Sequence, residues 1–170
     1  ESYSDRGVVY TKLKETQKAK KDYLKAIDID NNENALFNYG NLLKENNNLN
    51  EAVHNYSLAI KAKPDFVNAY QNRGLVKFLQ HKNQEALNDF NEVIKINSDH
   101  ANARFLKSAI ELQKENLIEG FKNYEWRWNS SLFFSKIRNF NKRTWDGSED
   151  IKNKKILLYS EQGLGDQIHF

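Results

Sequence analysis

The stretch Ala35–Asp65, ALFNYGNLLKENNNLNEAVHNYSLAIKAKPD, decides the fold. It reads as a helix, a tight turn, a second helix and a stop. Gly40 lies on the first helix, and Ala52, Tyr56 and Ala59 lie on one face of the second. Asn46-Asn47-Asn48 between them is turn chemistry, because asparagine tolerates left-handed backbone and supplies local hydrogen bonds. Pro64 cannot continue a helix and closes the unit. The skeleton returns at Gly74, Ala86, Phe90 and Val93, and it appears earlier at Gly7, Ala19, Tyr23 and Ala26. Gly7 to Gly40 is a step of 33 residues and Gly40 to Gly74 a step of 34.

That period, with a small residue where two helices meet, resembles the tetratricopeptide repeat. The resemblance implies an all-α fold, a right-handed superhelix of helix pairs in which each repeat buries its face on the next. Residues 1–32, 33–66 and 67–100 form three repeats, with Tyr3, Tyr10 and Ile27 in the first, and Ser98 where a proline is usual in the third. Residues 101–129 form a fourth, degenerate repeat. There Ser108 replaces the glycine, Gly120 replaces the alanine, Tyr124 holds the aromatic position, and Trp126 and Trp128 are expected to cap the array. Residues 130–154 read as a connector made basic by Lys136, Arg138, Lys142 and Arg143. Residues 155–170 read as a short α/β stub, with a buried strand at Ile156-Leu157-Leu158-Tyr159 followed by the loop Gly163-Leu164-Gly165-Asp166.

Bulk composition narrows the function. The 170 residues carry a formal net charge of +3, too small to argue for nucleic acid. There is no cysteine, so no disulfide framework and no thiol chemistry. No apolar run reaches membrane-spanning length and no signal-peptide pattern is present, so a cytoplasmic setting is expected. The chain has no methionine and opens on Glu1, from which a piece of a longer protein is expected. His54, His81, His100 and His169 lie far apart without metal-ligand spacing, so no metal is expected. Neither a nucleophile elbow nor a phosphate-binding Walker loop occurs. Gly163 and Gly165 would let backbone N–H groups approach a phosphate or sugar hydroxyl, which makes them weak cofactor candidates.

The segments Glu119-Gly120-Phe121, Tyr124-Glu125-Trp126-Arg127-Trp128, Trp145-Asp146-Gly147 and Glu161–Gln167 resemble a bacterial family in which tetratricopeptide repeats precede a two-domain glycosyltransferase. That enzyme is similar to the heptosyltransferases and the O-linked N-acetylglucosamine transferases. The resemblance implies that Asp166 acts as general base on an acceptor hydroxyl when the whole transferase domain is present. A nucleotide sugar is the cofactor implied for the parent, and none for this chain. With that domain incomplete, no catalysis is expected here, and the unpaired strand is a candidate for self-association.

The tetratricopeptide resemblance also implies a concave groove lined by the first helix of each repeat, holding a protein or peptide. Asp5, Asn38 and Asn72, each two residues before the repeat's glycine, are expected to face it. Asn38 and Asn72 resemble the asparagine ladder of the O-linked N-acetylglucosamine transferases, whose amides grip a peptide backbone. An amide suits that task because it donates and accepts at once. Phe37, Asn41, Gln71, Leu75 and Phe78 complete the candidate groove. Ser4 and Val8 stand where chaperone-tail clamps carry lysine and asparagine, which argues against a clamp of that kind. The leading reading is therefore an interaction module that recruits an acceptor for a glycosyltransferase. Its alternatives are the transferase itself, in a longer chain, and a free-standing scaffold.

Overall fold

A computed structural model describes residues 2–30, 32–133, 145 and 148–155. Among them are eight α-helices and no strand: α1 (Tyr3–Lys12), α2 (Thr16–Asp30), α3 (Glu33–Glu45), α4 (Leu49–Ala62), α5 (Val67–Leu79), α6 (Asn83–Ile96), α7 (Ala101–Gln113) and α8 (Leu117–Tyr124). A 3-10 helix, Glu125–Asn129, follows α8 directly. The sequence-expected strand at 156–159, the loop with Gly163, Gly165 and Asp166, and His169 lie outside the described residues, as does any self-association through that strand. The described parts of the connector, 130–133, 145 and 148–154, are non-helical, as is residue 155.

Each helix pair is closed by one turn, repeated four times. After α3, Asn48 N–H donates to Leu43 O at 2.8 Å and Asn47 N–H to Lys44 O at 3.0 Å. This is the Schellman arrangement, which satisfies carbonyls left open at a helix end. It places Asn47 at φ 61°, and its counterparts Lys14, His81 and Glu115 take φ of 59°, 60° and 60°. Asparagine marks the turn only once, so the geometry is imposed by the helix pair rather than by the turn residue.

The pairs pack through the small residues. A Cβ built on Gly7 would lie 2.6 Å from the Tyr23 ring, on Gly40 2.7 Å from Tyr56, and on Gly74 2.8 Å from Phe90. Those three rings are buried, together with Ala19, Ala52 and Ala86. Tyr23 and Tyr56 carry a hydroxyl that burial obliges to find a partner. Tyr23 pairs with the Thr11 hydroxyl at 3.0 Å and Tyr56 donates to Asn41 Oδ1 at 2.8 Å. Where Phe90 removes the hydroxyl, the position equivalent to Asn41 becomes Leu75. Burial pushes both phenols above their usual pKa.

Layer order follows from the contacts. Every second helix packs on the first helix of the next repeat, and α1 also touches α3, and α3 touches α5. Consecutive second helices make at most a marginal contact. The first helices are therefore the crowded inner row, and the second helices splay outside it.

The fourth repeat ends differently. α8 has 8 residues against 14 in α4 and α6. In the 3-10 turn that follows, Arg127 is buried against Tyr124 and Trp128, its guanidinium 4.5 and 4.4 Å from their ring centroids. Trp126 lies 4.8 Å from the Arg104 guanidinium, and Trp128 meets Phe133 edge-on at 5.3 Å. This aromatic cap closes over the start of α7. It does not cover the outward face of α8, where Ile118 is 83% and Phe121 58% exposed. Trp126 and Trp128, expected to cap the array, pack against Arg104 of α7 and against Phe133.

Candidate functional site: the inner row

Two kinds of polar group sit on the inner helices, and the structure separates them. Some are tied into the scaffold. Asn72 Nδ2 donates to Asn41 Oδ1 at 2.7 Å, the same oxygen that accepts from Tyr56, so one amide joins α3, α4 and α5. Asn72, expected to face the groove, bridges two repeats. The others are open. Asn38 and Gln71 are half-buried, and the Asp5 side chain is exposed, with no side-chain hydrogen bond among the described residues. Phe37 packs on Phe66 at 5.0 Å and Tyr56 at 5.9 Å, and Phe78 packs against the Phe90 cluster. Both phenylalanines thus serve the core and offer only part of their surface. Leu75 is half-buried.

The sequence reading missed a set of charged pairs behind this row. Arg73 grips Asp89 with two bonds, Nε–Oδ2 at 3.0 Å and Nη2–Oδ1 at 2.6 Å, and gives a third to Ser57 Oγ at 3.0 Å. Lys77 Nζ adds an ion pair to Asp89 at 3.0 Å. Arg6 grips Asp22 in the same way at 2.6 and 2.9 Å, and the Arg6 guanidinium holds that carboxyl below its usual pKa. At the same places repeat two has Tyr39 and Asn55, and repeat four has Lys107 and Asn123. Asn55 turns to its own backbone, Nδ2 to Glu51 O at 2.9 Å, and Asn123 donates to Glu111 at 2.8 Å while accepting from Arg104 at 3.2 Å. Among the described residues, a buried aspartate occurs only where the facing helix supplies arginine. The signal was a fixed 16-residue offset between the partners, visible only once the helices are paired.

A third feature is a second row of asparagines, one turn before the first. Asn34, Asn68 and Asn102 recur at steps of 34 and lie four residues before Asn38, Asn72 and Leu106, on the same helical stripe. Asn102 is occupied. Its Oδ1 accepts from Ser131 N–H at 3.0 Å and Ser130 Oγ at 2.8 Å, and its Nδ2 donates to Ser131 Oγ at 3.0 Å. Beside it Phe133 packs on Phe105 at 5.8 Å. Asn102 and Ser131 also border an open polar depression of about 320 Å3 with Asn97, Asp99 and His100. His100 caps α7, its Nδ1 accepting Ala103 N–H at 3.3 Å, and burial lowers its pKa. Among the described residues no group of histidines, cysteines and carboxylates could hold a metal ion, and no helix is long and apolar enough to cross a membrane.

Comparison with known proteins agrees with this geometry. The family model described as a tetratricopeptide repeat matches residues 1–33, and one described as a TPR repeat matches residues 40–81. Protein FlbA of Caulobacter vibrioides is 28% identical over 115 residues, which is 66% of this chain and 19% of FlbA, so the chain spans about a fifth of that relative. The crystal structure of MamA superposes with a TM-score of 0.69 at 18% identity, over 73% of each chain. The first TPR of Spaghetti (RPAP3), bound to the HSP90 peptide SRMEEVD, gives 0.64 at 22%, over 66% of this chain and 90% of that one. YrrB, a TPR protein with an unusual peptide-binding site, gives 0.64 at 21%, over 73% and 64%. At these identities the likeness to solved structures is one of fold.

Proposed function

We propose that this tetratricopeptide-repeat chain is a protein-interaction module that holds an extended polypeptide along its inner row. The observation that carries the reading is the pair Asn38 and Gln71: half-buried amides on adjacent inner helices with no hydrogen-bond partner among the described residues. A half-buried amide with no protein partner is a candidate to pair with a passing backbone, to which it can donate and from which it can accept. That two proteins of the same fold are described with a bound peptide or a peptide-binding site supports the reading. We assign no reaction to the chain itself.

The test uses peptides recovered by pull-down on the intact chain and titrated calorimetrically. A backbone hydrogen bond is worth about 0.5–1.5 kcal/mol net, so Asn38→Ala with Gln71→Ala is expected to weaken binding by about ten-fold. Equal affinities would retire the reading. Asn72→Ala is a poor substitute, since it also breaks the bond to Asn41.

What the module serves divides two finer readings. The sequence between Gly120 and Gln167 favours recruitment of an acceptor to a glycosyltransferase, with Asp166 and a nucleotide sugar belonging to the complete enzyme. The second is a free-standing scaffold, in which the repeats act without a transferase domain. Sugar transfer to a recovered peptide by a chain that includes the whole transferase domain would decide for the first.

A further inference from the structure

The fourth repeat holds a piece of the chain's own backbone on the stripe where the second and third are open. α8 stops at Tyr124, and the 3-10 turn that follows carries Ser130–Phe133 back across α7. Ser130 is extended, with φ −86° and ψ 133°. One amide, Asn102, then reads a main-chain N–H and two serine hydroxyls at 2.8–3.0 Å. In the second repeat the chain after α4 brings Phe66 onto Phe37, but among the described residues no hydrogen bond from the chain after α4 or α6 reaches the Asn34 or Asn68 side chain. Asn68 has no side-chain partner among the described residues. Asn34 has only a 3.4 Å approach of its Nδ2 to Glu33.

We propose that Asn34 and Asn68 read serine or threonine residues of an extended polypeptide, as Asn102 reads Ser130 and Ser131. This rests on the peptide-holding reading above and names the class of polypeptide it selects. Asn38 and Gln71 offer contacts to backbone alone, which every sequence supplies. Asn34 and Asn68 add a demand for a hydroxyl beside the N–H, because the amide's donor and acceptor are then both satisfied by one residue. The aromatic part of the fourth-repeat arrangement does not carry over: Phe66 already covers Phe37, and Gln71 stands in the place of Phe105. The selected feature is therefore the hydroxyl and not a following aromatic.

The test is a titration of the isotope-labelled full chain, followed by NMR at the side-chain amide signals. The probe is a synthetic peptide carrying two copies of residues 129–133, Asn-Ser-Ser-Leu-Phe, against the same peptide with each serine replaced by alanine. The Asn34 and Asn68 signals are expected to move with the serine peptide, and the alanine peptide is expected to bind about ten-fold more weakly. Equal movement by both peptides, or none at millimolar concentration, would overturn the proposal. Should Asn38 and Gln71 respond equally to both peptides while Asn34 and Asn68 stay still, the groove stands and its selectivity for hydroxyls falls. In the chain itself, Asn102→Ala should raise hydrogen exchange at Ser131 N–H without unfolding α7. Unchanged exchange there would remove the template on which the proposal rests.

Discussion

Asp89→Ala removes the single carboxylate that two cations share. The Asp89 side chain is 4% exposed, and Arg73 and Lys77, at 16% and 12%, have little water to turn to. Breaking a buried pair from one side costs roughly 3–5 kcal/mol, because the abandoned charge stays desolvated. Arg73 retains its bond to Ser57 and Lys77 its 3.6 Å ion pair with Glu85, which together place the expected loss near the lower end, about 3 kcal/mol. Against a typical domain stability of about 5–15 kcal/mol this is a large fraction. The second repeat supplies the control: its equivalents are Tyr39, Leu43 and Asn55, a neutral set in the same backbone setting. The triple variant Arg73→Tyr, Lys77→Leu, Asp89→Asn therefore removes both charges with their partner and should recover most of the loss. A further comparison lies in repeat one, where Arg6 is 47% exposed; Asp22→Ala should cost less than Asp89→Ala, since water can take over the released arginine. The assay is urea unfolding at neutral pH, followed in parallel by circular dichroism and tryptophan fluorescence; coincident curves license a single free energy. A loss under about 1 kcal/mol for Asp89→Ala would refute the reasoning, as would a triple variant no better than the single one.

Gly74→Leu should cost roughly 1–3 kcal/mol by overpacking, because even a Cβ there meets the Phe90 ring at 2.8 Å and Asp89 Cβ at 3.1 Å; an unchanged melting temperature would show the helix crossing to be misplaced. His100 makes stability pH-dependent in a stated direction. Burial disfavours its charged form and its Nδ1 must keep a lone pair for Ala103 N–H, so its folded pKa lies below 6.5. The unfolded chain then binds more protons as pH falls through that value, and stability drops with it. His100→Asn, which still caps the helix, should flatten the change in melting temperature across this window; an identical slope in both proteins would assign the effect elsewhere.

Repeat architecture was legible because it is local and periodic. Gly7, Gly40 and Gly74 stand 16 residues before Tyr23, Tyr56 and Phe90, and no other side chain fits against those rings. Asparagine marked one turn in four, since Lys14 and Glu115 adopt the left-handed conformation without belonging to the residue types that favour it, and His81, of a type enriched there, stands without flanking turn residues. Helix ends were the least legible. Nothing in the periodicity of residues 117–129 separates an α8 that stops at Tyr124 from one that runs as long as α6, because the decision rests on Arg127 lying among Tyr124, Trp128 and Phe133.

The candidate site was legible as a stripe and illegible as chemistry. Spacing places Asn38 and Asn72 at one register, but only the approach of α3 to α5 shows that Asn72 is spent on Asn41 while Asn38 is open. The same contact leaves one of two identical residues in a scaffold bond and the other without a protein partner among the described residues. The row at Asn34, Asn68 and Asn102 has equally regular spacing, and there the difference comes from the chain path: an early helix end brings two serines to Asn102 and none to the other two. In a solenoid each repeat meets the same neighbours, so a departure in one repeat reports what the equivalent residues of the others are able to do. Asn102 is that departure here. Its hydrogen bonds turn a recurring asparagine, common enough in this sequence to be ignored, into a group of demonstrated geometry.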